Sequence, residues 1–312
     1  MPTSTARATG LLVGYLADRA WADPARAHPV AGFGLAAGQF ERALWADSRG
    51  RGMAFTAACV GAAVLAAGAA ERARPRQRRA ALVAATWSVL GGTSLARAGA
   101  AVADALEAGD LAAARALLPT LCGRDPQQLD ADGLSRAALE SVAENTADAV
   151  VAPLLWGAVA GLPGLVGYRA VNTLDAMVGH RSPRHANFGW ASARLDDAAN
   201  LVPARATALL AAVLAPLVGG STRRTLQVVV RDGGRHPSPN AGQCEAAFAG
   251  ALDVTLGGPL SYGGSLEVRG PHGDGPPPTA VDLRRAVRLS SAVGAAAVVL
   301  AAALAAVVEA RP

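Results

Sequence analysis

The sequence contains no lysine, so every one of its 29 Lys+Arg positions is arginine. A Walker A loop is therefore excluded, because that loop needs its Lys on the phosphates. A Schiff-base lysine is excluded as well. Any phosphate or carboxylate must be held by Arg forks, backbone N–H groups or a metal. Cysteine is scarce: Cys59, Cys122 and Cys244 are odd in number and widely spaced, so neither a disulfide framework nor a Cys-based zinc site is suggested. Aromatics make up only 4%, and the arginines are scattered rather than striped between aromatics. Nucleic acid is set aside on that ground, despite a net charge of +5. Charge is also thin: 17% of residues are charged, against about 25% in an average soluble domain.

Hydrophobic residues make up 52%, and the arginines read best as flanks of membrane segments facing anionic headgroups. Five uncharged stretches stand out: Met53–Ala70, Ala80–Ala96, Ala149–Tyr168, Ala206–Gly220 and Ser290–Val308. A span needs roughly 20 apolar residues. Ala149–Tyr168 and Ser290–Val308 meet this, Met53–Ala70 and Ala80–Ala96 are borderline, and Ala206–Gly220 is short. The competing reading is a soluble bundle of buried Ala-rich helices. Several such runs in one chain favour an all-α, polytopic helical membrane protein with about four to five transmembrane or re-entrant helices plus polar helical segments. The expected location is the cell membrane, multi-pass. Pro153 and Pro163 inside Ala149–Tyr168 predict a broken or re-entrant helix there. Ala8–Ala17 runs straight into Asp18 and Arg19, which predicts a retained short helix rather than a cleaved signal.

No internal repeat and no domain boundary is visible, so a single helical membrane domain, 1–312, is expected. Within it lie a polar helical segment at about 97–146 and polar motif loops at about 169–200 and 221–285. Asp110 is placed to cap LAAARALL, and Asp130 or Asp132 to cap the helix through Glu144. Gly270–Pro278 is a flexible loop by composition. Orientation is contradictory. Arg72, Arg74, Arg76, Arg78 and Arg79 would put their loop inside the cell, whereas ATP chemistry would want the opposite ends inside.

The few charged residues cluster. Glu140, Glu144 and Asp148 are spaced i, i+4, i+8, on one face of a helix, with Asn145 beside them. Asn172 and Asp175 are three apart, and Arg194, Asp196, Asp197 and Asn200 follow. Such oxygen ligands suit Mg²⁺, which takes carboxylates plus substrate phosphates. Capped helix ends explain any one cluster as well, but three of them at the edges of apolar stretches favour function. His180 and His185 flank R-S-P-R and would contact an anion with Arg181 and Arg184 rather than bind zinc. S-P-N-A-G, Ser238 to Gly242, follows Arg231, Arg235 and His236 and would form an anion nest before a helix near Gln243.

E-S-V-A-E-N-T-A-D (Glu140–Asp148), N-T-L-D-A-M-V-G-H (Asn172–His180), A-R-L-D-D-A-A-N-L-V-P-A-R (Ala193–Arg205), S-P-N-A-G and the early D-P…H-P-V resemble the signature of the CobD/CbiB family, in order and spacing, from about residue 10 onward. The resemblance implies a membrane-associated enzyme of adenosylcobalamin synthesis. It implies an ATP- and Mg²⁺-dependent ligase joining a propionate of adenosylcobyric acid to (R)-1-aminopropan-2-ol or its O-phosphate, giving adenosylcobinamide or its phosphate. Its partners would be the corrinoid, the amine, the lipid bilayer and other cobalamin-biosynthesis proteins. Activating a carboxylate, as an acyl phosphate, needs Mg²⁺, positioning and charge neutralisation. On that footing Glu144, Asp148, Asp175 and Asp196 are the expected metal ligands. Asp197 joins Glu144, Asp175 and Asp196 in the catalytic set, with His28 or Glu41 as base. Asn145, Asn172, Arg194, Asn200, Arg205, Ser238 and Asn240 would hold substrate or phosphate. The rival readings are an intramembrane Mg²⁺-dependent prenyltransferase, and a corrinoid scaffold or transporter without catalysis.

Overall fold

The computed structural model describes residues 6–24, 28–180, 182–262 and 265–310, and of residues 259–262 and 265–269 it describes the backbone alone. Helix dominates. In chain order come α1 (Ala6–Trp21), α2 (Pro29–Leu44), α3 (Arg49–Glu71), α4 (Pro75–Val89), α5 (Gly92–Glu107), α6 (Leu111–Leu117) and α7 (Ala131–Thr146). Then come α8 (Ala152–Leu174), α9 (Trp190–Leu214), α10 (Thr222–Asp232), α11 (Ala241–Leu252), the strands β1 (Leu256–Tyr262) and β2 (Ser265–His272), and α12 (Ala280–Ala310). Local chemistry sets the starts. Pro29 opens α2 behind His28, whose Nδ1 accepts from the Val30 N–H at 3.1 Å. Asp110 caps α6 through the Ala113 N–H at 2.9 Å. Asp130, not Asp132, caps α7 through the Gly133 N–H at 2.8 Å.

Among the described residues, four helical runs are long and apolar enough to cross a membrane: Arg49–Glu71, Ala131–Gly179, Trp190–Val218 and Ala280–Ala310. In the most apolar window of α3 only 22% of residues are buried inside the protein. An apolar surface that the protein leaves uncovered is the face lipid covers, so the chain is an all-α polytopic membrane protein. Two of the five stretches are reassigned. Ala80–Ala96 is no span: Leu90 is extended, with φ −71° and ψ 140°, and the Gly91–Gly92 pair restarts the chain as α5. Ala206–Gly220, short by itself, belongs to a 29-residue run because the polar stretch before it is already helical.

The chain divides into two compact units, residues 1–91, 152–200 and 297–312 in the first, and residues 92–151 and 201–296 in the second. In the first, Phe55, Leu174, Val178 and Phe188 form a buried core with Ala37 and Cys59. A side chain at Gly52 would meet the Phe188 carbonyl, so glycine lets α3 close on that segment. The predicted break in Ala149–Tyr168 falls at Gly161, with φ 64° and ψ −148°, rather than at either proline. Pro153 lies in the first turn of α8, and Pro163 follows the break, where its missing N–H costs little. The Glu71 carboxylate accepts from the Leu162 N–H at 2.9 Å, and Arg7 donates to the carbonyls of Ala158 and Val159 at 3.4 and 3.2 Å. One N–H and two carbonyls beside the break thereby find partners.

In the second unit α5, α7 and α12 meet at Gly99, which faces Val142 and Val287, and Phe248, Leu252 and Leu283 are fully buried. The antiparallel hairpin β1–β2, in which Leu256 pairs with His272 and Gly258 with Arg269, takes residues 270–272 out of the expected Gly270–Pro278 loop, while 273–278 have no regular structure. Gly257 and Gly258 adopt φ 83° and 95°, which a side chain resists, and a bulge lies between Leu256 and Gly258.

Candidate functional site

Two polar clusters stand out, one in each unit. In the first unit α8 ends in a π turn, Asp175–Gly179, opened by Asp175. Such i→i+5 turns recur at functional sites. A side chain at Gly179 would meet the Asp175 carboxylate and force it to move. One to two turns earlier, Asn172 donates through Nδ2 to Asp196 Oδ1 at 3.4 Å, and Asn200 donates to Asp196 Oδ2 at 3.0 Å. Asn200, 1% exposed, accepts in turn from the Tyr168 hydroxyl at 2.9 Å. Arg169 donates to Asn172 Oδ1 at 3.2 Å. The N-T-L-D and L-D-D-A-A-N motifs thus meet around one carboxylate held by two amides. Arg194 and Asp197 pair with each other on the exposed side of α9 at 3.4 Å. A cavity of about 500 Å³ shares Arg169 with this hub and is walled mainly by apolar residues, among them Val30, Phe33, Trp87 and Val166, with Ser88 and Thr173.

Tyr168 and Arg169 escape the motif reading, since they close an apolar stretch. Arg169 lies three residues before Asn172, the helical spacing that would have flagged it. Of the base candidates, His28 spends Nδ1 on its cap and turns Nε2 to Asp23 at 3.3 Å. Glu41 is held by Arg184 at 3.2 Å and by His185 Nε2 at 3.1 Å. The expected His–Arg anion contact is corrected at these two residues: their partner is a carboxylate of the chain itself. Arg181, named in the same expectation, lies outside the described residues.

In the second unit Glu140, Glu144 and Asp148 do not act as one face. Glu140 is 1% exposed and pairs with buried Arg124, while its second oxygen accepts from the Gly257 N–H at 2.7 Å. Asp148 lies in a second π turn, Ala147–Val151, which shifts its phase relative to Glu144. Asn145 donates to the carbonyl and hydroxyl of Ser141. Glu144 and Asp148 raise the Cys244 thiol after burial, the larger cause, has already pushed it up; Glu245 adds to this and Arg205 opposes it.

S-P-N-A-G forms the entry to α11, which starts at Ala241 rather than Gln243. Its nest is partly filled from within: Ser238 Oγ accepts from the N–H groups of Asn240 and Ala241, each at 3.3 Å. Asn240 gives its Oδ1 to Arg205 at 3.3 Å instead of capping α11. The structure thus brings Arg205 and Asn240 together. Sequence reading named His236 only as part of the run before the nest, and it missed the fully buried Glu245 and His272.

The comparisons with known proteins follow this geometry. The family model described as CobD/Cbib protein matches residues 11–290. The chain is similar to the cobalamin biosynthesis protein CobD of Mycobacterium tuberculosis, with 57% identity over 296 residues, 95% of either chain. It is similar to the protein of that name in Sinorhizobium fredii, 43% identical over 269 residues covering 81% of this chain and 82% of that one. It also resembles the one in Rhodobacter capsulatus, 53% identical over 192 residues, 61% of this chain and 60% of that one. No solved structure matches.

Proposed function

Because the chain belongs to the CobD/CbiB family, and so serves cobalamin biosynthesis, we propose that it is the amide-forming ligase of that route. In this reading it couples a propionate of adenosylcobyric acid to aminopropanol or its O-phosphate in a reaction dependent on Mg²⁺ and ATP. The observation that carries the reading is the Asp196 hub, a carboxylate fixed by the Asn172 and Asn200 amides at the edge of an apolar helical bundle. A charge in such a place is costly unless it is used.

Among the described residues no group of three or more His, Cys, Asp or Glu is arranged to hold a metal ion. Mg²⁺ commonly takes one or two carboxylates plus substrate phosphates, and the oxygen-rich hub fits that mode. Asp196 and Asp175 would be its ligands on the first unit. Mg·ATP, when bound, supplies activation of the carboxylate. Every other task falls to side chains. In the second unit, Arg205 and Asn240 carry guanidinium and amide N–H groups of the kind that hold phosphate oxygens. Arg169, at the wall of the apolar cavity, pairs with the propionate while the cavity takes the apolar edge of the corrin. Glu41 takes a proton from the substrate ammonium and so frees the amine to attack, with His185 beside it to stabilise the exchange. His28 holds α2 in place.

The test is direct. Detergent-solubilised protein is incubated with adenosylcobyric acid, Mg·ATP and either amine, and the amide is sought by mass spectrometry. Amide formed with wild type and lost in Asp196→Asn supports the reading. Folded wild type that forms no amide with either amine overturns it in favour of a scaffold or transporter. Turnover of a prenyl diphosphate would instead favour the prenyltransferase.

A further inference from the structure

His236, Glu245 and His272 form a cluster that no motif contains. It is assembled from the segment before S-P-N-A-G, the first turns of α11 and the end of β2. Glu245 and His272 are fully buried, and the His236 side chain is 5% exposed. Glu245 Oε1 lies 3.8 Å from His236 Nε2, and its Oε2 lies 3.5 Å from His272 Nδ1. One buried carboxylate is thus bracketed by two imidazoles whose ring centroids are 6.2 Å apart.

The far side of the His236 ring gives this arrangement its meaning. His236 Nδ1 accepts the Ser238 N–H at 2.9 Å. An accepting Nδ1 carries no proton, so the neutral ring keeps its proton on Nε2, the atom turned towards Glu245. A carboxylate on that side favours the Nε2–H tautomer, as a carboxylate does behind other working histidines. From Ser238 the chain of bonds continues: its hydroxyl accepts from the N–H groups of Asn240 and Ala241, and Asn240 Oδ1 accepts from Arg205. The Cys244 thiol, one residue before Glu245, donates to the Ala204 carbonyl at 3.8 Å, so the segment that carries the cluster packs against the one that carries Arg205. An ordinary capped turn needs no interior carboxylate, which is expensive to bury.

We propose that Glu245 is a positioning residue, which fixes the tautomer of His236 and through it the S-P-N-A-G turn, so that Asn240 and Arg205 present a rigid site to a substrate phosphate. The proposal rests on the reading of Asn240 and Arg205 as phosphate-holding groups.

Two variants separate the parts. Glu245→Gln keeps the shape and removes the charge. His236→Asn keeps an acceptor, because an Asn side-chain oxygen takes the N–H two residues on, and it needs no carboxylate behind it. The protein has five histidines, so ¹⁵N-histidine labelling in detergent reads their tautomers, and the His236 signal is the one missing from His236→Asn. Wild type should show His236 as Nε2–H, and Glu245→Gln should show it as a mixture. Steady-state kinetics should show the KM for ATP or for aminopropanol phosphate rising about tenfold in Glu245→Gln, the size of one lost hydrogen bond, with the KM for the corrinoid unchanged. In a His236→Asn background Glu245→Gln should add nothing. An unchanged His236 tautomer in Glu245→Gln overturns the proposal, and so do losses that multiply in the double variant. A tautomer that shifts while every KM stays put leaves Glu245 positioning the turn but refutes the phosphate reading of Asn240 and Arg205.

Discussion

Glu140→Ala is the sharpest test of the second unit. Glu140 and Arg124 are 1% and 7% exposed, and the pair they form is direct. The second Glu140 oxygen accepts from the Gly257 N–H of the hairpin at 2.7 Å. Removing the carboxylate takes this counter-charge from a buried guanidinium and the acceptor from a buried N–H. Breaking one side of a buried ion pair costs about 3–5 kcal/mol. An orphaned buried donor costs about 1–3 kcal/mol, part of which overlaps with the first term. A net loss of about 4 kcal/mol is expected, a large fraction of the stability of an ordinary domain. Arg124→Met/Glu140→Leu removes both charges and leaves only the Gly257 N–H, so it should cost about 1–2 kcal/mol. Urea unfolding in mild detergent, followed by circular dichroism, measures both. Amide formation per folded molecule should change little in either variant. A single variant costing under about 1 kcal/mol would refute the reasoning, and so would a double variant worse than the single. A collapse of turnover at unchanged stability would make Glu140 a ligand rather than a strut.

Asp196→Asn should lower kcat for amide formation about a hundredfold, the scale of a lost charge-stabilising group, while leaving the unfolding midpoint close to wild type. Gly179→Ala should displace the Asp175 carboxylate, whose Oδ1 sits where the new methyl would be, and should reduce kcat with little effect on the KM for ATP. Burial would raise the Asp232 carboxyl, but bonds from Arg231 and the Gly273 N–H, with Arg235 nearby, bring it below the ordinary carboxylate range. A lowered native pKa stabilises the fold fully above about pH 4, and the contribution is lost as pH falls through the lowered value. Asp232→Asn should therefore flatten the acid arm of a stability profile measured between about pH 5 and pH 2. Burial, with Asp148 and Glu144 adding to it, holds the Cys244 thiol protonated, so maleimide at neutral pH should label it only after unfolding.

The sequence makes some features of the molecule plain and hides others for physical reasons. Long uncharged runs identify α3 and α12, because a span advertises itself by composition. The same rule misjudges Ala80–Ala96, where a two-glycine hinge outweighs hydropathy, and it undersells Ala206–Gly220, whose helix begins in polar residues. Caps at Asp110 and Asp130 are legible because an N-cap is a local bond. The Asn172–Asp196–Asn200 hub is half legible. Its members stand out as polar residues in apolar surroundings, but their meeting depends on tertiary placement of α8 against α9. Glu140 shows the opposite failure: spacing groups it with Glu144 and Asp148, and only burial reveals its engagement with Arg124. The two π turns and the β1–β2 hairpin have no period that a pattern search would catch, and His272 comes to Glu245 only through that hairpin.

The interruption of α8 at Gly161 carries a lesson about biogenesis. Its orphaned N–H and C=O groups are met by Glu71 at the end of α3 and by Arg7 in α1. Both residues are synthesised well before residue 158, so on the ribosome the partners of the break exist before the break does. The N-terminal helices thereby serve as a template onto which a later segment folds, and a chain begun after residue 10 would have to insert α8 with two carbonyls unanswered.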